Sequence, residues 1–248
     1  ATLDGERLAT YMDAPRVTSE GRSFPVTVSY LPLQSRETPE LQFKRALRQA
    51  LSDSDGDVLC FLPGKLEIER SARLLSDFDV AVEILHGELG MEEQARVLRP
   101  SATRRVVLAT NVAESSITLP GVRAVVDSGL AREPRFDPAS GMSRLETVSI
   151  AQSSARQRAG RAGRLAPGHC YRLWPQSQLL ENATRPEIQC IELSSLALEM
   201  KVWGSKDLRF LDPPPPGAFA QAHVLLRALA AIDDDDRATT HGAALLTL

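Results

Sequence analysis

Short apolar runs rich in β-branched residues alternate with helix-patterned stretches along the first two-thirds of the chain, and that alternation most limits the fold. "DVLCFL" at 57–62 and "RVVLAT" at 105–110 are strand-length runs, each followed by a helical pattern, while "RAVVDSG" at 123–129 and "CYRLW" at 170–174 read as further strands. Helices fit over about 38–52, 66–76 and 90–98. Strand alternating with helix implies an α/β domain with a mostly parallel sheet covered on both faces. Its ligands are expected beyond the carboxyl ends of the strands.

The tail has a different pattern. Segments 192–203 and 218–232 carry apolar residues at helical spacing, and "FLDPPPPG" at 210–217 between them favours a stiff extended connection. The polar stretch "PQSQLLENATRP" at 175–186 suits a domain junction, giving domains over 1–180 and 181–248. At 248 residues and 43% hydrophobic, the chain has enough apolar material for two cores.

Formal net charge is −3, so no overall basic field marks a nucleic-acid binder, and any such function must be local. From Arg132 to Arg164 seven arginines face three acids, whereas from Glu181 onward ten acids face six bases. Cys60, Cys170 and Cys190 are odd in number and far apart, fitting neither a disulfide framework nor a zinc site. A reducing compartment, the cytosol, is the expectation. No apolar run approaches membrane-spanning length, and the first residues lack the pattern of a signal peptide. His86 has no second His or Cys at metal spacing and reads as a hydrogen-bonded loop residue.

The octet "QRAGRAGR" at 157–164 holds three arginines and no acid. On a helix, Gln157, Arg161 and Arg164 stand at i, i+4 and i+7 and share one face, with Arg158 pointing elsewhere. Two helical glycines, Gly160 and Gly163, each cost about 1 kcal/mol against Ala, so a close approach by a ligand or another surface is expected there. Stacked guanidinium forks suit phosphate oxygens. A solvated basic helix is the bland alternative, but such helices intersperse acids and have no use for paired glycines. Upstream, a buried-type strand ends at Ala109, and Asn111-x-x-Glu114 has the form of a capping box that opens a short helix whose amides could take an anion.

In that order, Thr110-Asn111-Val-Ala-Glu114-Ser-Ser116-Ile-Thr118 with Gly121-Val and Val126-Asp127-Ser128-Gly129 resembles motif V of DEAH-box helicases, and the octet resembles their motif VI. "VLCFLPGKLEIE" at 58–69 resembles motif IV, and "ILHGELGMEEQARV" at 84–97 the segment after it. The stretch 136–174 is most similar to the bacterial HrpB-type branch, and Arg185-Pro-Glu-Ile188, Leu211-Asp-Pro-Pro214 and "ALAAID" at 228–233 resemble the winged-helix domain that follows. The resemblance implies a RecA-like second motor domain followed by a small, mostly α winged helix. "ATLDGERLATY" resembles the end of motif III, with only Ala1 and Thr2 of it retained, followed by the crossing between motor domains. Neither a phosphate-loop signature nor Asp-Glu-Ala-His occurs, and Gly64-Lys65 is followed by Leu66 where Ser or Thr would be required.

By resemblance, Arg161 and Arg164 are arginine fingers for a γ-phosphate, and Gln157 places the attacking water or the phosphate. Ser116 and Thr118 lie near the nucleotide, whereas Thr110, Asn111 and Gly64 touch the nucleic-acid backbone. Pro120 replaces an Asp common in relatives, so no ribose contact is carried over. ATP and Mg²⁺ would be bound mainly by the first RecA-like domain, the chain's implied partner together with single-stranded nucleic acid, most simply RNA. This chain alone would then be inactive. The family also carries a β-hairpin within 132–151, where Arg135 and Arg144 could reach phosphates, although an ordinary surface hairpin fits equally. The acidic tail argues against groove binding and for a structural role. A non-catalytic adaptor that binds nucleic acid or protein is the competing reading.

Overall fold

The computed structural model describes residues 5–18, 23–114, 117–137, 140–204 and 208–247. The described residues divide into two compact units, one built on Arg16–Arg132 and Thr147–Thr184, the other on Gly5–Pro15, Glu133–Glu146 and Arg185–Leu248.

In chain order the elements are α1 (Gly5–Met12), β1 (Val26–Tyr30), α2 (Pro39–Asp53), β2 (Asp57–Phe61), α3 (Lys65–Arg73), β3 (Ala81–Leu85) and α4 (Met91–Leu98). Next come β4 (Arg105–Ala109), β5 (Val122–Asp127), β6 (Leu130–Asp137), β7 (Met142–Ser149), α5 (Gln152–Gly160) and β8 (Gly168–Arg172). The last are α6 (Ser194–Trp203), α7 (Pro216–Ala228) and α8 (Thr240–Leu245).

The first unit is a six-stranded parallel sheet in the order β1-β8-β5-β2-β4-β3. Every residue of β2 and β4 is buried, as expected of a parallel sheet covered on both faces. Strand periodicity then divides their side chains between two cores. Val58, Cys60, Val106, Leu108, Ala124 and Val126 pack with Phe43, Leu47 and Ala50 of α2 and Ile68 of α3. Leu59, Phe61, Val107, Ala109 and Val125 pack with Val97 of α4 and Ala159 of α5. Helix α2 starts where the sequence favours it, with the Thr38 hydroxyl accepting from the Leu41 amide and Pro39 in the first turn.

Opposite the carboxyl ends of the strands, the sheet is closed by a buried ion pair. Asp57, at the start of β2, takes the Arg105 Nε at 3.0 Å and the Arg105 amide at 3.1 Å. The remaining guanidinium nitrogens of Arg105 donate to the carbonyls of Val97 and Arg99. The turn after α5 adds a close approach. Phe24, leading into β1, donates its amide to the Gly163 carbonyl at 2.8 Å. A Cβ on Gly163 would lie 2.5 Å from the Phe24 carbonyl oxygen and 2.7 Å from Val26 Cγ2, whereas a Cβ on Gly160 would meet nothing within 4 Å.

The second unit is mostly helical. Leu193, Ala197 and Leu198 around α6 pack with Ala222 and Leu226 of α7 and with Ala231 and Ile232. Lys201 and Arg227 converge on Asp236 at 2.7 and 3.0 Å, while Arg7 on α1 pairs with Asp212 at 2.7 Å. The proline run does not end as a purely extended connection: Pro216 opens α7, a position where a missing amide hydrogen costs nothing.

β6 and β7 form the two-stranded ribbon expected within 132–151. Arg135 and Arg144 are each paired with an acid two residues away on the same strand, Glu133 at 3.5 Å and Glu146 at 2.8 Å.

Two substitutions test this packing. Asp57→Asn strands the buried Arg105 charge and is expected to lower unfolding free energy by about 3–5 kcal/mol, read from the urea midpoint. Gly163→Ala is expected to cost about 1–3 kcal/mol by overpacking, whereas Gly160→Ala gains up to about 1 kcal/mol in thermal or urea unfolding. Equal effects at the two glycines would contradict the close approach of Phe24.

Candidate functional site

Three connections leave the carboxyl edge of the sheet side by side. Gly64 follows β2, Thr110 and Asn111 follow the adjacent β4, and Ser128 follows β5. Gly64 is buried at the start of α3, where a Cβ would lie 2.8 Å from Arg132 Nε; glycine is what lets that side chain cross. Thr110 is half-buried, with its amide bonded to the Leu85 carbonyl at 3.2 Å, and Asn111 is exposed. An apolar cleft of about 130 Å³ at this edge, between α2 and α3, is lined in part by Phe43, Leu62, Pro63 and Leu130 and includes none of the candidate residues.

The expected capping box does not form. Asn111–Ala113 is a single 3₁₀ turn with Thr110 as its cap and no side-chain capping bond. Three residues make no helix dipole for an anion. Glu114 ends the turn, and its carboxylate accepts from Arg158 Nε at 3.0 Å instead of closing on the backbone. Ser115 and Ser116 lie outside the described residues.

The octet is also only half helix. α5 ends at Gly160, and residues 161–163 continue as tight i→i+3 turns. Gln157, half-buried on the last turn of α5, is therefore not on one continuous helical face with Arg161 and Arg164. The two arginines nevertheless converge on one segment. Arg161, 7% exposed, donates to the carbonyl oxygens of Ile117, at 2.5 Å, and of Glu114. Arg164 is exposed and donates to the Thr118 hydroxyl at 2.5 Å. Burial, then the neighbouring Arg164 charge, pulls the Arg161 guanidinium down to about 10 against the opposing effect of Glu114, so it stays charged at neutral pH.

Among the described residues, no carboxylate forms an ion pair with Arg161 or Arg164. The neighbouring Arg158 is the opposite case. Its side chain is 1% exposed and pairs with Glu114 at 3.0 Å and Asp127 at 2.9 Å. The same guanidinium donates to the Leu130 carbonyl at 3.2 Å and stands 4.8 Å over the Phe61 ring. Asp127 is fully buried; one oxygen takes Arg158 and the Gly129 amide, and the other has no partner. Burial pushes its carboxyl up from the ordinary range, and Arg158 opposes that.

Sequence reasoning placed Arg158 off the phosphate face but did not find what it meets. One signal was available: an Asp ending the apolar run "AVVD" must be buried, and a buried carboxylate needs a cation. His86 also departs from expectation, since its Nδ1 is buried without a partner. The described residues contain no group of His, Cys, Asp or Glu able to hold a metal. Cys60 and Cys170 are buried, with burial raising both thiols, Cys170 to about 12.

With this geometry in place, comparison with known proteins is informative. Residues 42–166 match the Helicase conserved C-terminal domain. The chain is 41% identical over 246 residues to the ATP-dependent RNA helicase HrpB of Escherichia coli, covering 95% of this chain and 30% of that protein. It is 37% identical to the pre-mRNA-splicing factor ATP-dependent RNA helicase prp22 of Schizosaccharomyces pombe, covering 98% of this chain and 22% of that protein. A crystal structure of the Escherichia coli DEAH/RHA helicase HrpB superposes with a TM-score of 0.89 at 40% identity, covering 98% of this chain and 32% of that one. The chain thus spans under a third of the length of these curated relatives. The parallel sheet with its flanking helices is the RecA-like fold, and the chain belongs to the helicase conserved C-terminal domain family.

Proposed function

We propose that this chain is the second motor domain, with an adjoining winged-helix domain, of a cytoplasmic ATP-dependent RNA helicase of the DEAH type. One observation carries the reading. Arg161 and Arg164 are two adjacent guanidinium groups bound only to neutral oxygens, those of Glu114, Ile117 and Thr118, and neither has a carboxylate counter-ion among the described residues. Such a pair is a receptor for a multiply charged anion, because phosphate oxygens can replace carbonyls without first breaking an ion pair.

The anion is the γ-phosphate of ATP, held by a first RecA-like domain. Phosphoryl transfer is driven mainly by positioning and by neutralising charge on the transferring group. Arg164, already exposed, reaches first; Arg161 exchanges its two carbonyls for phosphate oxygens. Gln157, one turn before Arg161, orients the attacking water, and Ser116 and Thr118 are assigned to nucleotide binding. Mg²⁺, which would neutralise the phosphates when bound, is assigned together with ATP to the first domain, as the helicase resemblance implies. Thr110, Asn111 and Gly64, at the ends of adjacent strands, take the backbone of single-stranded RNA. Hydrolysis then depends on domain closure, and closure moves the strand. The helices α6–α8, in a stretch with net negative charge, serve as a structural winged helix.

The test is ATP hydrolysis by the whole protein with and without single-stranded RNA. Arg161→Ala and Arg164→Ala should each slow turnover by about 10²-fold or more. Turnover preserved in both variants would overturn the finger assignment and leave the octet as a nucleic-acid or packing surface, whereas no turnover by the whole protein would favour the binding adaptor.

A further inference from the structure

Arg158 has no part in the proposed chemistry, yet it is the most buried charge in the octet and has the most partners. A buried guanidinium is costly unless its donors are met, and a well-packed apolar side chain would often serve stability equally well. The arrangement of its partners suggests another purpose. Asp127 and the Phe61 ring, both at the carboxyl edge of the sheet, hold Arg158 from one side. Glu114, 16% exposed, holds it from the other.

Glu114 is gripped twice. Its carboxylate is bound by Arg158 and its carbonyl by Arg161, from side chains three residues apart where α5 ends. Its amide in turn donates to the Asn111 carbonyl at 2.9 Å. A continuous chain of bonds therefore runs from Asn111 through Glu114 to both arginines. A shift of Asn111 is passed to the Glu114 main chain, and from there to the guanidinium groups that hold it.

Resting on the proposed function, the geometry points to Glu114 and Arg158 as a pair of positioning residues: a strut, made by the Glu114 carboxylate on Arg158, that sets the turn carrying Arg161 and Arg164 relative to the sheet and links it to the nucleic-acid contact at Asn111. Neither residue touches the nucleotide. Asp127 is the fixed anchor of the strut because it is fully buried. Glu114 is its movable end because it is partly exposed and belongs to a short turn.

The strut is tested in the whole helicase by Glu114→Gln, which keeps side-chain length and leaves the Arg158–Asp127 pair intact, so the variant should fold with a Tm close to wild type. RNA-stimulated kcat is expected to fall about tenfold or more with KM for ATP within about twofold, because the strut sets where the fingers stand without itself binding the nucleotide. Because Glu114 acts through the fingers, adding Glu114→Gln to Arg164→Ala should slow turnover little further, a non-additivity expected of residues working as one unit. Arg158→Lys, which keeps the charge but loses the fork, should reproduce the kcat loss.

If Glu114→Gln turns over like wild type while Arg164→Ala is crippled, the strut is wrong and the proposed function stands. If Glu114→Gln lowers Tm, raises KM and adds fully to Arg164→Ala, Glu114 is only structural and the strut is again wrong. If neither Glu114→Gln nor Arg164→Ala slows hydrolysis, the finger reading fails and the strut with it.

Discussion

The buried pair between Arg158 and Asp127 is the constraint on which the rest of the site depends. It joins the end of β5 to the last turn of α5, and therefore fixes where the chain goes when the helix stops. Removing one partner from such a pair typically costs about 3–5 kcal/mol, because the other charge is left in the interior. The sheet has a second buried pair, Asp57 with Arg105, at its opposite end, and the contrast is instructive. Arg105 spends its donors on Asp57 and two main-chain carbonyls, leaving a closed and purely structural contact. Around Arg158 the contact is left open: one oxygen of Asp127 has no partner, and Glu114 sits at the edge of solvent.

Three arginines within seven positions thus meet three environments. Arg158 faces two carboxylates, Arg161 two carbonyls and Arg164 one hydroxyl. Readiness to take up a new anion increases in the same order, because a guanidinium must first give up what it already holds. The sheet edge and the turn after α5 produce this gradient together. The i→i+3 turns at 161–163 follow directly on the helix end where Arg158 is anchored, and Phe24, packed against Gly163, keeps that turn in place.

Much of the sheet was legible in the sequence. β2, β4 and β5 lie in its interior and carry the apolar runs "VLCF", "VVLA" and "AVV". β1, "VTVSY", and β3, "AVEIL", are the edge strands, where Thr27, Ser29 and Glu83 interrupt the apolar signal. At the site, spacing alone overextended two helices. Glycine ended α5 four residues before the pattern did, and at Glu114 an arginine distant in sequence outcompeted the local cap. At Glu114 a guanidinium anchored on a buried carboxylate outweighs the capping term that a local reading can see. Spacing singled out Arg161 and Arg164 as candidates, whereas Arg158 was passed over because its partners lie 31 and 44 residues away.

Arg161 and Arg164, which have no carboxylate partner among the described residues, are proposed to exchange neutral oxygens of their own domain for those of a phosphate. A crystal structure of the whole protein with ADP and a fluoride mimic of the transferring phosphoryl group tests it directly. The account predicts that the guanidinium groups of Arg161 and Arg164 lie within hydrogen-bond distance of the fluoride ligands, that Arg161 has left the carbonyls of Glu114 and Ile117, and that Arg158 remains on Asp127. Arg161 still bound to those carbonyls in a closed, nucleotide-filled site would contradict it.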